Sequence, residues 1–168
     1  MAILHTTRLR LRPLLPEDLD VVHEHIYADP ETMQYIIGGS RHSKTQTKIS
    51  LDKMRRHVLL HGFGFMAAEY LPDRRFVGIG GLKHQGLTGE VEVGYVLEKG
   101  FWGRGLATEL VGELLQYGFR TLALDRIVGV VMPGNQASAR VLEKNQLRLE
   151  GTRRLYDMDL LYYAADRA

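Results

Sequence analysis

The feature that most constrains the fold is a strand that runs into a glycine-rich turn and then into a helix. Residues 95–109 read Tyr-Val-Leu-Glu-Lys-Gly-Phe-Trp-Gly-Arg-Gly-Leu-Ala-Thr-Glu. Gly103 and Gly105 remove side-chain bulk on either side of Arg104, so the backbone there can approach a ligand closely. Apolar residues at helical spacing follow, and a helix start offers unpaired N–H groups and a positive dipole end. We therefore predict a phosphate-bearing cofactor on the loop from Trp102 to Thr108.

Two well-known glycine-loop motifs do not fit this stretch. A Walker loop requires a lysine directly after its last glycine, and Leu106 follows Gly105 here. The dinucleotide-binding motif requires glycine or alanine where Thr108 stands. It also opens the first βαβ unit, whereas this loop lies late in the chain. Taken alone, the loop leaves open a glycine-rich turn that binds no ligand.

A second strand–loop–helix unit follows the first. The β-branched run from Arg126 to Val131 predicts a buried strand, and residues 137–144 have strong helix-forming character. Asn135 stands between them and is a favoured residue for capping the start of a helix. The two successive units therefore each place a polar helix start after the end of a strand.

With these two motifs the chain resembles the GNAT superfamily of acyl-CoA-dependent N-acyltransferases. The first motif of that family is Gln or Arg, two variable residues, glycine, one variable residue, and glycine or alanine. This chain has Trp102-Gly-Arg-Gly-Leu-Ala107, with tryptophan where Gln or Arg is usual. The second family motif is an asparagine followed three residues later by serine or alanine at a helix start. Asn135 and Ser138 match it.

The resemblance covers nearly the whole chain and points to the branch that acetylates the N-termini of ribosomal proteins. Segments that match that branch in order and spacing are 7–14, 16–19, 29–31, 77–82, 92–97, 101–109 and 138–144. One departure follows the last segment, where Asn145-Gln-Leu replaces the usual Gly-Phe pair. Asparagine is the second choice after glycine for a left-handed helix cap, so this change is structurally tolerable.

The resemblance implies an α+β fold, with a single GNAT-type domain over residues 1–168, a mixed central sheet and helices on both faces. It implies direct transfer of the acetyl group of acetyl-CoA to an amine, with a protein N-terminal α-amine as the acceptor. Two alternatives stay open. The acceptor could be a small amine, such as an aminoglycoside, a polyamine or an amino acid, or the chain could be a non-catalytic acyl-CoA-binding module.

The resemblance also assigns residues to acetyl-CoA, the expected cosubstrate. The strand from Tyr95 to Leu97 would pair its backbone with the pantetheine arm, and an N–H at its end would bind the thioester oxygen. Asn135 would contact the pantetheine, and Ser138 would lie near the sulfur. The Arg104 guanidinium would reach a phosphate. The predicted cofactor-binding residues are Tyr95, Val96, Leu97, Trp102, Gly103, Arg104, Gly105, Leu106, Ala107, Thr108, Asn135 and Ser138.

The predicted catalytic residues are Glu92, Ser138 and Asp157. Many family members carry a carboxylate that takes the amine proton at the position of Glu92, and a solvent-facing strand glutamate is the alternative. Asp157 and His84 are further candidates for contact with the amine. Leu142 occupies the place of the tyrosine that usually protonates the leaving thiolate. Ser138 could donate that proton, or none is needed because a thiolate of pKa about 8.5 leaves readily.

Composition limits the remaining functional classes. With 168 residues, of which 45% are hydrophobic, the chain is one ordinary domain with enough apolar content for a core. A net charge of +2 gives no support for nucleic-acid binding, and no apolar run is long enough to span a membrane. The absence of cysteine excludes an acyl-cysteine intermediate and a thiolate metal site. We predict a cytoplasmic protein without bound metal, and both a monomer and a homodimer stay open.

Local patterns predict the remaining elements. Strands are expected at 8–12, 63–71, 76–83, 91–97, 126–131, 147–154 and 157–165, and helices at 44–61 and after Pro16, Pro30 and the two loops. In the strand at 91–97, alternation puts Val91 and Val93 on one face and Glu92 on the other. His57 and His61 are one helical turn apart, but without an HExxH-type glutamate they do not indicate a metal site.

Overall fold

The computed structural model describes residues 3–36, 38–86 and 88–168. Eight strands lie within them: β1 (Leu4–His5), β2 (Leu9–Pro13), β3 (Phe65–Tyr70), β4 (Phe76–His84), β5 (Val91–Leu97), β6 (Arg126–Val131), β7 (Arg148–Leu155) and β8 (Met158–Asp166). The α-helices of the same ranges are α1 (Leu19–Val22), α2 (Pro30–Met33), α3 (Lys44–His61), α4 (Leu106–Gln116) and α5 (Gln136–Lys144). Short 3-10 or π turns form at Pro16–Asp18, His23–Tyr27, Lys99–Phe101 and Tyr117–Thr121.

The strands form one mixed sheet in the order β1-β2-β3-β4-β5-β6-β8-β7. Neighbouring strands are antiparallel except β5 and β6, which run parallel. Parallel neighbours need a crossover connection, and α4 lies in the one that joins β5 to β6. The glycine loop is the first part of this crossover, so it starts at the carboxyl end of β5.

Helices cover both faces of the sheet. On one face α4 and α5 contribute Leu110 and Leu142 to a core that also contains Val93 of β5. On the other face α3 places Leu51 in a second core with Ile79 of β4. Each face is apolar where a helix lies over it, because burial of this surface is the main favourable contribution to folding.

The sheet opens between β5 and β6. Within the described chain a single pair of residues, Glu92 and Val128, aligns across these two strands. By contrast, β5 pairs with β4 along its whole length. Beyond Glu92 and Val128 the two strands therefore diverge towards their carboxyl ends. The edge of β5 that faces this gap keeps backbone N–H and C=O groups that a bound extended chain can pair with.

Most of the predicted elements are confirmed. The helix at 44–61 and the strands at 91–97 and 126–131 have the predicted bounds, and the other strands differ by one or two residues at their ends. The α+β fold with a mixed sheet and helices on both faces is confirmed as well. None of the described helices is both long and apolar enough to cross a membrane.

Asn145 is the C-cap residue of α5, but its backbone is not left-handed. The left-handed residue after α5 is Gln146, with φ of 65°, whereas Asn145 has φ of −95°. The Asn145 side-chain amide donates to the carbonyl oxygens of Thr108, at 3.1 Å, and Val141, at 2.9 Å. These bonds connect the end of α5 to the first turn of α4. The left-handed residue that ends the helix is therefore Gln146 rather than Asn145.

Candidate active site

The glycine loop has the backbone geometry that a phosphate site requires. Gly103 and Gly105 lie in the left-handed region, with φ of 73° and 76°. No side chain of the described residues caps the start of α4, and its first helical bond runs from the Glu109 N–H to the Gly105 carbonyl oxygen, at 3.1 Å. The N–H groups of the first turn can therefore bind an anion. A β-carbon added at Gly103 would meet no atom of the described ranges within 4 Å, so the backbone there faces open space.

A cavity of about 400 Å³, here called the loop cavity, lies between this helix start and the end of β5. All of the predicted cofactor-binding residues except Arg104 line it: Tyr95, Val96, Leu97, Trp102, Gly103, Gly105, Leu106, Ala107, Thr108, Asn135 and Ser138. The structure thus brings the two sequence motifs, which are about thirty residues apart in the chain, to the walls of one space.

Arg8 forms hydrogen bonds that fix the position of the glycine loop. Its guanidinium Nη1 donates to the Arg104 carbonyl oxygen, at 2.9 Å, and its Nε donates to the Glu109 carboxylate, at 2.8 Å. The Arg104 side chain packs instead over aromatic rings, with its guanidinium carbon 5.3 Å from the centroid of Phe101 and 5.9 Å from that of Tyr70. Sequence reasoning missed Arg8, because nothing local connects it to a loop that lies far along the chain.

Trp102 links the glycine loop to the sheet. Its indole Nε1 donates to the carbonyl oxygen of Leu97, at 2.8 Å, and the residue is 46% exposed at the rim of the loop cavity. Leu97 is the last residue of β5. This hydrogen bond therefore sets the position of the loop relative to the strand edge that faces the gap.

Two hydroxyl groups meet at the inner end of the loop cavity. The side chain of Asn135 accepts from the Ser138 N–H at 3.1 Å, which confirms the predicted cap of α5. The Ser138 Oγ then lies 2.9 Å from the Tyr95 hydroxyl. Burial raises the pKa of Tyr95 to about 12, so this hydroxyl stays protonated near neutral pH. Sequence reasoning gave Tyr95 a backbone role only, although strand alternation already put its side chain on the face of Val93.

A second cavity of about 540 Å³, here called the strand cavity, also extends to the hydroxyl groups of Tyr95 and Ser138. It lies between α3, β4, β5 and β6 and is lined by residues such as Met54, Lys83, Glu92 and Val130. Tyr95 and Ser138 line both cavities, as do their neighbours Val96 and Asn135. The two cavities therefore adjoin at the hydroxyl pair, in the gap between β5 and β6.

Glu92 lies in the strand cavity as a buried carboxylate. The residue is 5% exposed, so the alternative of a solvent-facing glutamate is wrong. Its Oε1 is 3.6 Å from the Lys83 ammonium, and its Oε2 is buried without a hydrogen-bond partner among the described residues. Burial raises the pKa of Glu92, and the neighbouring Lys83 opposes that shift. A carboxylate in this state is a stronger proton acceptor than an exposed one.

One known family has this architecture. A family model described as an acetyltransferase (GNAT) domain matches residues 8–148. The chain belongs to the GNAT acetyltransferases. It is 31% identical over 161 residues to the uncharacterized N-acetyltransferase p20 of Bacillus licheniformis, covering 94% of this chain and 88% of that protein.

Solved GNAT structures agree with this assignment. An acetyltransferase from Agrobacterium tumefaciens superposes with a TM-score of 0.88 at 28% identity, covering 99% of this chain and 95% of that one. RimL, a ribosomal alpha-N-protein acetyltransferase in complex with coenzyme A, has the same fold, with a TM-score of 0.82 at 20% identity and coverage of 99% and 98%. The chain is therefore an acyl-CoA-dependent N-acetyltransferase.

The described residues fit the acetyl-CoA that GNAT enzymes use. The uncapped first turn of α4 supplies N–H donors and a positive dipole end for the pyrophosphate. The β-carbon-free surface at Gly103 leaves room for close approach. The unpaired edge of β5 offers backbone partners for the extended pantetheine arm. The helix start and the edge of β5 thus follow one another in the same order as the pyrophosphate and the pantetheine arm of acetyl-CoA.

The remaining candidates of this GNAT domain are placed differently. Asp157 is exposed in the tight turn between β7 and β8, where φ is 52° at Tyr156 and 59° at Asp157, and it lines neither cavity. His84 does line the strand cavity. His57 accepts from the His84 N–H at 3.1 Å, and its Nδ1 lies 2.9 Å from the Phe63 carbonyl oxygen. Both ring nitrogens of His57 are thus occupied, which leaves neither for a metal ion.

Proposed function

We propose that this acetyltransferase acetylates a protein N-terminal α-amine, by direct transfer from acetyl-CoA across the junction of the two cavities. The observation that carries the proposal is Glu92, a buried carboxylate of the strand cavity with one oxygen that has no hydrogen-bond partner among the described residues. An α-amine has a pKa of about 8, against about 10.4 for a lysine side chain, so one weak base is enough to deprotonate it at neutral pH. The likeness to RimL, named as an alpha-N-protein acetyltransferase, supports the same acceptor.

In this proposal acetyl-CoA occupies the loop cavity and the amine enters from the strand cavity. The backbone of Tyr95–Leu97 pairs with the pantetheine arm, and an N–H at this strand edge donates to the thioester oxygen as charge develops there. The chain at Gly103–Thr108 binds the pyrophosphate through its N–H groups. Arg8 and Trp102 hold that loop in place through the hydrogen bonds to Arg104 and Leu97.

Glu92 takes the proton of the attacking amine. Its raised pKa makes it a better base than an exposed carboxylate, and Oε2, which has no hydrogen-bond partner in the described part of the chain, is the atom that takes the proton. The Lys83 ammonium, at 3.6 Å from Oε1, favours the ionised form of this carboxyl group and so opposes the effect of burial on its pKa. Asp157 has no part in this step because it lies outside both cavities.

The leaving thiolate meets the hydroxyl pair of Tyr95 and Ser138. A thiolate with a pKa of about 8.5 does not take a proton readily from a hydroxyl whose pKa is far higher. Burial raises the pKa of Tyr95 to about 12, so the pair acts by donating a hydrogen bond to the sulfur. Ser138 has Tyr95 as its hydroxyl partner and the chain has no cysteine, so we propose no covalent acetyl-enzyme step.

A thiol-release assay tests this function. Peptides with a free N-terminus, the same peptides with a blocked N-terminus and a free lysine, and a polyamine and an aminoglycoside are each incubated with acetyl-CoA. We expect release of free CoA thiol with the first group, and mass spectrometry should place one acetyl group on the α-amine. The enzyme adds no thiol background because it lacks cysteine. A higher kcat/KM for the small amines than for any free N-terminus would contradict the proposal.

A further inference from the structure

The strand cavity carries an excess of positive charge. Lys53 of α3 and Lys83 of β4 line it together with three histidines, and Glu92 is the one acidic side chain among the described residues of its wall. Burial lowers the pKa of His42 and of His57, so these two rings are neutral near pH 7. The two lysines therefore outnumber the single carboxylate, and the net charge of the wall is positive.

Lys53 has no counter-charge within the described chain. The two other lysines of α3 are paired, Lys44 with Asp20 at 2.6 Å and Lys48 with Asp52 at 2.7 Å. Lys53 lies on the same helix, and it lines the cavity while pairing with no carboxylate of the described residues. An ammonium that borders a cavity without a partner is available to an anion that enters it.

Lys83 loses its counter-charge during the reaction. Its ammonium is 3.6 Å from the Glu92 carboxylate, which is its one ion-pair partner in the described chain. When Glu92 takes the amine proton it becomes neutral, and a partly buried cation is then left unpaired in the cavity wall. A second negative group close to the reacting amine would compensate that charge as it appears.

We propose that the acceptor carries a carboxylate within a few bonds of the reacting amine, and that Lys53 and Lys83 bind this carboxylate. The inference rests on the proposed function, because it places the amine beside Glu92. Two sources share this chemistry: an acidic residue at the first or second position of a peptide, and the α-carboxylate of a free amino acid. Polyamines and aminoglycosides bring further positive charges against a positive wall and are poor acceptors.

Charge-matched acceptors test the inference. Peptides that begin Ser-Asp, Ser-Asn and Ser-Lys and are otherwise identical are compared by kcat/KM, and serine is compared with serinamide. We expect Ser-Asp to exceed Ser-Asn by about tenfold or more, equal to about 1.4 kcal/mol, with Ser-Lys the poorest. Serine should likewise exceed serinamide. A faster reaction with the peptides identifies the side-chain carboxylate as the source, and a faster reaction with serine identifies the α-carboxylate.

The variant Lys53→Glu should abolish or reverse the preference for Ser-Asp over Ser-Asn. Glutamate is as good a helix former as lysine, so α3 should persist. Lys48→Glu is the matched control, because it makes the same charge change on the exposed surface of α3 and does not line the cavity. It should keep the wild-type preference. Equal wild-type rates within both pairs, Ser-Asp with Ser-Asn and serine with serinamide, or the same loss in both variants, would overturn the inference.

Product binding separates this inference from the proposed function. Calorimetry compares N-acetyl-Ser-Asp and N-acetyl-Ser-Asn peptides, and N-acetylserine with its amide, binding to the enzyme with coenzyme A present. Tighter binding of the acidic member of a pair, lost in Lys53→Glu, supports the cationic subsite even if no peptide N-terminus is acetylated. Equal binding within both pairs overturns it even if peptide N-termini are good substrates.

Discussion

Replacing Glu92 with glutamine removes the proposed base while keeping the shape of the side chain. We expect Glu92→Gln to lower kcat by about 10²- to 10⁴-fold, the usual contribution of a positioned base, with little change in acetyl-CoA affinity. At 1.36 kcal/mol for each factor of ten, this loss raises the reaction barrier by about 2.7 to 5.4 kcal/mol. At high pH the rate should partly recover, because an α-amine with a pKa of about 8 then loses its proton without help.

The same substitution should stabilise the fold. The buried Oε2 of Glu92 has no hydrogen-bond partner among the described residues, and such a group costs about 1 to 3 kcal/mol, more when it is charged. Glutamine is neutral, so we expect the free energy of unfolding to rise by about 1 kcal/mol near pH 7. For a chain of this length that corresponds to an increase in Tm of about 2 to 4 °C.

The stability gain has a defined dependence on pH. Burial raises the folded-state pKa of Glu92 above its unfolded value. Protonation of Glu92 therefore favours the folded state, and this contribution is complete below the unfolded pKa and is lost as the pH rises through the folded pKa. The advantage of Glu92→Gln should be largest at neutral and alkaline pH and should shrink in acid. The wild-type rate should fall as the pH drops through the same folded pKa.

Thiol release from pH 6 to 9 and thermal unfolding by circular dichroism measure the two effects. Glu90→Gln is the matched control, since Glu90 is bonded to the Tyr162 hydroxyl and pairs with Arg126 and Arg153 at 3.8 and 3.6 Å. That change should lower Tm and leave turnover near the wild-type value. Wild-type turnover of Glu92→Gln at pH 7 would refute the reasoning and leave bulk water as the proton acceptor.

Two other sets of variants test the loop cavity and the hydroxyl pair. Ala107→Glu puts a carboxylate at the start of α4, where it suits the helix dipole but repels a pyrophosphate, so calorimetry should show acetyl-CoA binding at least about tenfold weaker than in the neutral Ala107→Gln. Equal affinities of the two variants would exclude a phosphate at this helix start. Tyr95→Phe and Ser138→Ala should each lower kcat by about 10- to 100-fold, as expected for a hydrogen bond to a charged group. The double variant should be little worse than either single one because the two hydroxyls act together, and losses that multiply would show that they act separately.

The backbone elements that form the site could be predicted from the sequence, because each is indicated by residues close together in the chain. Gly103 and Gly105 mark a backbone that must adopt positive φ, and both do. Asn135 precedes a helix and caps it within three residues. Alternation along β5 correctly separated Val93 from Glu92, which lie on opposite faces of the sheet. Each of these inferences uses residues within a few positions of one another.

The contacts that complete the site could not be predicted in the same way. Tyr95 meets Ser138 across 43 positions, and Arg8 meets Glu109 across 101 positions, so no local pattern reports either contact. Burial of Glu92 depends on helices that come earlier in the chain and cover its face of the sheet. The sequence pattern of β5 alone is equally consistent with exposure of the face that carries Glu92 to solvent. Long-range packing decided whether this glutamate is a surface residue or a candidate base.

Trp102 gives the enzyme a built-in optical probe. It is the single tryptophan of the chain, it is half exposed at the rim of the loop cavity, and its indole N–H is bonded to the last residue of β5. Emission excited at the red edge of protein absorption therefore comes from one known position. A change in its intensity or wavelength on adding acetyl-CoA follows occupancy of the loop cavity in real time, and quenching by iodide measures how far the bound molecule shields the ring.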